Sequence, residues 1–201
     1  MDLETMEAEV LQYCKDMGWY EEEVPFEQAM ALLHEEAAEA GAAWRKHGLE
    51  DMTAERGPAI VDGADPGQKP GLYVKGYELP SPEGVGSEFA DILIRALDDS
   101  TRYKLGLADL IVSRGGRFGL REEFLVNINI LHGLIARASM AWDALMSEGP
   151  DHFYQPGPCV ADVVRFTMQL AEHYGIDLEA EYARKMAYNR TREYRHGGKR
   201  A

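Results

Sequence analysis

The chain has 201 residues, 45% apolar and 28% charged, and a formal net charge of −14. That is the length and balance of one soluble globular domain, with or without a sizeable insertion, rather than of a disordered or fibrous chain. So acidic a protein is a poor match for nucleic acid or an anionic membrane, since both reward a basic surface.

The start, Met1-Asp2-Leu3-Glu4, is acidic and lacks the basic opening and apolar stretch of a signal peptide, and no apolar run approaches the roughly 20 residues that cross a bilayer. Cys14 and Cys159 are too few for a disulfide framework or a zinc site and sit in apolar surroundings, which predicts buried free thiols and a cytoplasmic setting. Charge is unevenly placed: residues 1–50 hold thirteen Asp or Glu against three Lys or Arg, whereas 184–200 hold seven Lys or Arg and one acid, Glu193. An acidic body with a basic tail could bind a metal at one place and a phosphate chain at the other.

Met6, Val10 and Tyr13 predict a first helix over about 3–17. A second, from about Phe26 to His47, follows Phe26, Met30, Leu33, Ala37, Gly41 and Trp44, and its run of Ala and Gly lets another helix approach closely. Residues 51–86 read as a long loop, since twelve of these positions are Gly or Pro; Leu72-Tyr73-Val74 and Tyr77-Glu78-Leu79 are a weak hairpin candidate around Lys75-Gly76. From Gly86 the helical period resumes through Phe89, Ile92, Leu93, Ala96 and Leu97. A Gly-broken connection near Gly115, Gly116 and Gly119 leads to a long helix over about 121–147, with a seam at Phe124, Ile128, Leu131, Ile135, Ala138, Trp142 and Leu145. Pro158 can start another helix that Gly175 ends, and Asp177 can cap a last one running to about Arg192. The expected fold is all-α, a single multi-helix bundle over 1–201 with almost no sheet, an inserted helical segment over 99–158 and a basic tail over 193–201. Ala90-Asp91-Ile92 and Ala161-Asp162-Val163 sit early in similar helices, but Glu88 upstream of the first is matched by Cys159 in the second, so any internal repeat carries only one acidic pair.

Two motifs carry chemistry: Glu35-Glu36-Ala37-Ala38-Glu39 on the second helix and Glu88-Phe89-Ala90-Asp91 on the third. Glu36 with Glu39, and Glu88 with Asp91, lie at i, i+3 and share a helix face, so two antiparallel helices with these faces together gather four carboxylates. Such crowding is repulsive unless a cation sits between, and oxygen donors without His or Cys select magnesium, manganese or calcium over zinc. Arg95, on the Glu88 and Asp91 face, either balances charge or touches substrate. His34 reads as a core or surface histidine, and Trp44 as core or interface packing rather than a base-stacking platform.

The EExxE and ExxD arrangement resembles the all-helical nucleotide pyrophosphohydrolases of the MazG and dimeric dUTPase superfamily. Lys185-x-x-x-Asn189-x-x-Arg192, followed by Tyr194-Arg195-His196-Gly197-Gly198-Lys199, looks like the carboxy-terminal signature of MazG-like proteins. The resemblance covers roughly 24–48, 84–99 and 160–201. It implies a MazG-type bundle that hydrolyses a nucleoside triphosphate to monophosphate and pyrophosphate with Mg2+, for which Mn2+ could substitute. Residue by residue it implies Glu36, Glu39, Glu88 and Asp91 as metal ligands, Glu35 as a catalytic, water-orienting carboxylate, and Lys185, Asn189, Arg192 and Lys199 as phosphate contacts. The Glu39-to-Glu88 spacing and the 99–158 segment depart from the family, which bears on substrate choice and assembly.

A di-iron carboxylate bundle wants Glu-x-x-His on two helices, and only Glu193-Tyr194-Arg195-His196 supplies one. A non-catalytic helical regulator is the rival from another class, and a dUTP- or phosphoribosyl-ATP-directed enzyme the rival within it. The Ala-rich helix and the long seam offer more apolar surface than a small bundle hides, so a homo-oligomer, a dimer, is expected unless residues 99–158 cover that surface within one chain.

Overall fold

The computed structural model describes residues 1–48, 81–149 and 155–198, and all regular structure among them is helical. Seven helices are α1 (Leu3–Asp16), α2 (Phe26–His47), α3 (Val85–Tyr103), α4 (Leu107–Ser113), α5 (Phe124–Glu148), α6 (Pro156–His173) and α7 (Leu178–Asn189). A turn over Arg195–Gly198 follows, with positive φ at Arg195, His196 and Gly197. Most of the expected 51–86 loop, its hairpin candidate and Lys199 lie outside the described residues.

Each helix has a local cause. The Asp2 carboxylate accepts from the Thr5 amide to cap α1, and Asp177 does the same for Ala180 in α7. Gly48, with φ 69°, follows α2, whose last turn carries Arg45, Lys46 and His47 against the carbonyl end of the helix. Proline opens α6 at Pro156, two residues before Pro158, and Gly175 (φ 69°) closes its end as Ile176 donates back to the Ala171 carbonyl at 2.8 Å. α5 starts at Phe124 rather than near 121 because the Asn127 side chain bonds both the amide and the carbonyl of Arg121, at 2.8 and 2.9 Å, and holds the approach outside the helix.

α2 packs along α3, α5 along α6, and α2 along α5; α7 lies on α3, α4 on α6, and α1 on α3. Phe26, Leu33, Phe89, Ile92, Leu97, Leu131, Ile135, Phe166 and Leu170 are fully buried between them. Cys14 and Cys159 are buried free thiols, as their neighbours in the sequence suggest.

The 99–158 segment is not an appendage. α3 continues through its start to Tyr103, α4 is a short helix that the apolar pattern does not announce, and α5 is a central member of the bundle. α5 covers the small-residue face of α2: a Cβ placed on Gly41 would meet Leu125 and Ile128 at 3.6 and 3.8 Å. Trp44 stacks on Phe124, with ring centroids 5.6 Å apart, as core packing requires. By length and composition alone α5 could cross a bilayer. It nevertheless carries Arg137 and Asp143 and packs its apolar side on α2 and α6.

Candidate metal centre

α2 and α3 lie side by side with their acidic faces together, and Glu36, Glu88 and Asp91 each offer a carboxylate oxygen within 4.8 Å of the others. Glu36 is buried; Glu88 and Asp91 are half-buried. Two cations enter the group. The Arg95 Nε donates to Glu36 Oε1, so Arg95 balances charge on that carboxylate. Lys185 comes across from α7, its Nζ 2.5 Å from Asp91 Oδ2 and 3.0 Å from the hydroxyl of Ser87.

Glu88 is the carboxylate left without a cation: among the described residues it forms no ion pair. Burial raises its pKa to about 8; Lys185 opposes the rise, while Asp91, Glu39 and Glu36 add to it. Burial likewise raises Asp91 to about 6, against the pull of Lys185 and with the push of Glu36. Burial works against the Lys185 ammonium, yet Asp91, Glu88 and Glu36 together hold it above its ordinary value. Three carboxylates thus face two cations, Arg95 and Lys185.

The other candidate residues are distributed less compactly. Glu39 is exposed and reaches Glu88 through its charge, outside the group of three. Glu35 is exposed and also outside it. Asp98, farther along the same face of α3, is occupied by Arg102 at 3.2 Å. Lys185, Asn189 and Arg192 do not share one helix side, because α7 stops at Asn189 and Arg192 sits in the turn that follows. Lys185 points into the carboxylates. Asn189 is buried near Tyr13, whose hydroxyl donates to the Asn189 carbonyl at 3.5 Å, and its side-chain oxygen has no hydrogen-bond partner. Arg192 is half-buried, 5.9 Å from the Tyr188 ring centre, and makes no ion pair among the described residues.

The basic tail docks on α1 and the acidic turn behind it. Arg195 bonds Glu22 at 2.7 Å, Glu21 at 3.0 Å and the Gly18 carbonyl at 3.1 Å, and Tyr13 meets His196 at 2.8 Å. Tyr194 lies over Gly18, where φ is 77° and any side chain would collide with the phenol ring. Part of the basic end is therefore matched to the acidic start. Ser87, Asp99 and Tyr13 carry no motif that would single them out. Asp99 is buried, one of its oxygens has no hydrogen-bond partner, and burial next to Asp98 raises its pKa to about 8.

All donors in the cluster are carboxylate oxygens, at a spacing one small divalent cation could bridge, which fits magnesium or manganese and not a thiophilic metal. No family model, curated protein or solved structure matches the chain.

Proposed function

We propose that this protein is a divalent-cation-dependent pyrophosphohydrolase that cuts a nucleoside triphosphate to a monophosphate and pyrophosphate. The observation that carries the reading is the convergence of Glu36, Glu88 and Asp91 within 4.8 Å, with Glu88 lacking a cation of its own. A bound Mg2+ supplies charge neutralisation on phosphate oxygens and a more acidic water. The chain supplies the rest. Glu36, Glu88 and Asp91 form the oxygen cage, and Glu39 stands at its exposed edge. Arg95 fixes the Glu36 carboxylate, and Lys185 fixes Asp91 while presenting a buried positive charge beside the cage. Arg192, half-exposed and without an acidic partner among the described residues, is the side chain suited to a phosphate oxygen. Glu35 and Lys199 keep the roles that the resemblance to MazG-like proteins implies.

One observation favours a different reading. Arg95 and Lys185 already neutralise two of the three carboxylates, as they would in a helical regulator whose acidic cluster is purely structural. The two readings part in one experiment: each nucleoside triphosphate is incubated with protein and Mg2+ or Mn2+ and the products are resolved. Monophosphate with pyrophosphate supports the enzyme. Diphosphate with orthophosphate, or no turnover together with no Mn2+ uptake by calorimetry, overturns it.

A further inference from the structure

Two parts of the chain fold alike. α2 and α5 both open on phenylalanine (Phe26, Phe124), carry Leu33-His34 and Leu131-His132 at the same depth, and close their apolar stripe on Ala43-Trp44 and Ala141-Trp142. α3 and α6 share Gly86 with Gly157, Ala90-Asp91 with Ala161-Asp162, and Tyr103 with Tyr174. Each then turns through a residue with positive φ, Lys104 at 56° and Gly175 at 69°. The turn is closed in one case by Leu105 donating to the Ser100 carbonyl and in the other by Ile176 donating to that of Ala171. α4 begins at Leu107 and α7 at Leu178, each at the same spacing after its paired tyrosine, Tyr103 or Tyr174.

Contacts are mirrored as well. Phe26 stacks on Trp142, and Phe124 stacks on Trp44, at 4.5 and 5.6 Å between centroids. Tyr103 packs on Phe26 at 5.0 Å, and Tyr174 on Phe124 at 5.3 Å. α7 lies on α3, and α4 lies on α6. Lys185 bonds Asp91, and its counterpart Arg114 bonds Asp162, at 3.1 Å from Nε. His34 and His132 stack on one another with their Nδ1 atoms 2.8 Å apart. A residue that touches its own equivalent marks a two-fold axis.

We propose that the chain is a fused pair: two copies of one three-helix unit, α2–α4 and α5–α7, related by an internal pseudo-two-fold axis through His34 and His132. Only the first copy keeps an acidic site, and the second completes it by sending Lys185 across the axis. At the mirror position Glu35, Glu36, Glu39 and Glu88 are replaced by Gly133, Leu134, Arg137 and Cys159. Asp162 alone remains, and Arg114 and Arg165 hold it at 3.1 and 3.2 Å. Two arginines on that one carboxylate, with Arg137 where the first copy has Glu39, repel a divalent cation. The surface through which a single unit would dimerise is thereby consumed inside one chain.

The pairing is tested without reference to catalysis. A His34→Cys, His132→Cys variant treated with a short bis-maleimide should join residues 34 and 132 within one chain, read by peptide mass spectrometry at the monomer mass. A covalent dimer as the main product would overturn the proposal. Wild-type light scattering should give 22.5 kDa; a stable dimer would overturn the claim that one chain suffices. The number of sites rests on the proposed function and has its own probe, Mn2+ titration. Asp91→Asn should abolish uptake and Asp162→Asn should leave it within about twofold. Equal losses would show a second working site and sink the asymmetry. Absence of uptake by the wild type would instead count against the proposed function, with the cross-link still deciding the pairing.

Discussion

Glu88 and Asp91 differ in what a substitution removes. Asp91 is bonded to Lys185, so Asp91→Asn strips a buried cation of its partner, whereas Glu88 has no such bond among the described residues. Glu88→Gln should therefore raise the thermal midpoint of metal-free protein while abolishing turnover, and circular dichroism beside a pyrophosphate assay reads both. Its pH dependence has a definite sign. Burial pushes the Glu88 pKa up to about 8 from an ordinary 4.5, so between those values the folded state holds a proton that the unfolded state has lost. That contribution is complete below about pH 4.5 and disappears as pH rises through about 8. Metal-free wild type should thus lose stability from pH 6 to pH 9 more steeply than Glu88→Gln, and added Mg2+ should shrink the difference; parallel slopes would contradict the assignment. Lys185 and Arg192 separate similarly. Lys185→Ala leaves Asp91 uncompensated and should cost about 3 kcal/mol in urea denaturation. Arg192→Ala should leave stability nearly unchanged and lower kcat/KM by roughly ten- to a thousandfold, the loss of one charge-assisted contact plus some misplacement.

Among the helices, α2 and α5 set the tolerance of the seam. The neighbours a Cβ on Gly41 would meet lie at ordinary contact distance, and the backbone there is helical. Gly41→Ala should accordingly stabilise by about 0.5–1 kcal/mol, and Gly41→Leu, which must displace Leu125 and Ile128, should destabilise by about 1–3 kcal/mol in the same denaturation assay. Helix positions were legible because apolar residues recur every three or four along α2, α3, α5 and α6. The meeting of Glu36 with Glu88 and Asp91 was legible because i, i+3 spacing puts each pair on one face. Where α5 begins was not, since it depends on Asn127 reaching back to Arg121. Nor was the fate of Lys185: a basic residue near an acidic cluster reads equally as a phosphate contact or an internal counterion, and only the crossing of α7 over α3 distinguishes them. The tail's docking on Glu21 and Glu22 was hidden for the same reason, being a contact between distant segments.

For the molecule as a whole, helices pair across long stretches of chain. α1 is fastened to the far end of the sequence: the Tyr182 hydroxyl bonds Glu9 at 2.8 Å across 173 positions, Tyr13 reaches the Asn189 carbonyl across 176, and the Met1 amino group lies 3.1 Å from Glu179. All-helical domains usually refold quickly because their contacts are local; these are not, and the loop entropy of bringing them together must be met before they return any stabilisation. Docking of α1 against α7 should then come after the rate-limiting barrier. Tyr182→Phe should accelerate unfolding severalfold and leave the refolding rate almost unchanged in stopped-flow measurements, whereas an equal slowing of refolding would place this contact within the folding nucleus. Lys185 rides on the same helix but reaches Asp91 through the packing of α7 on α3, so the acidic site gains its buried cation only once a segment distant in sequence has docked.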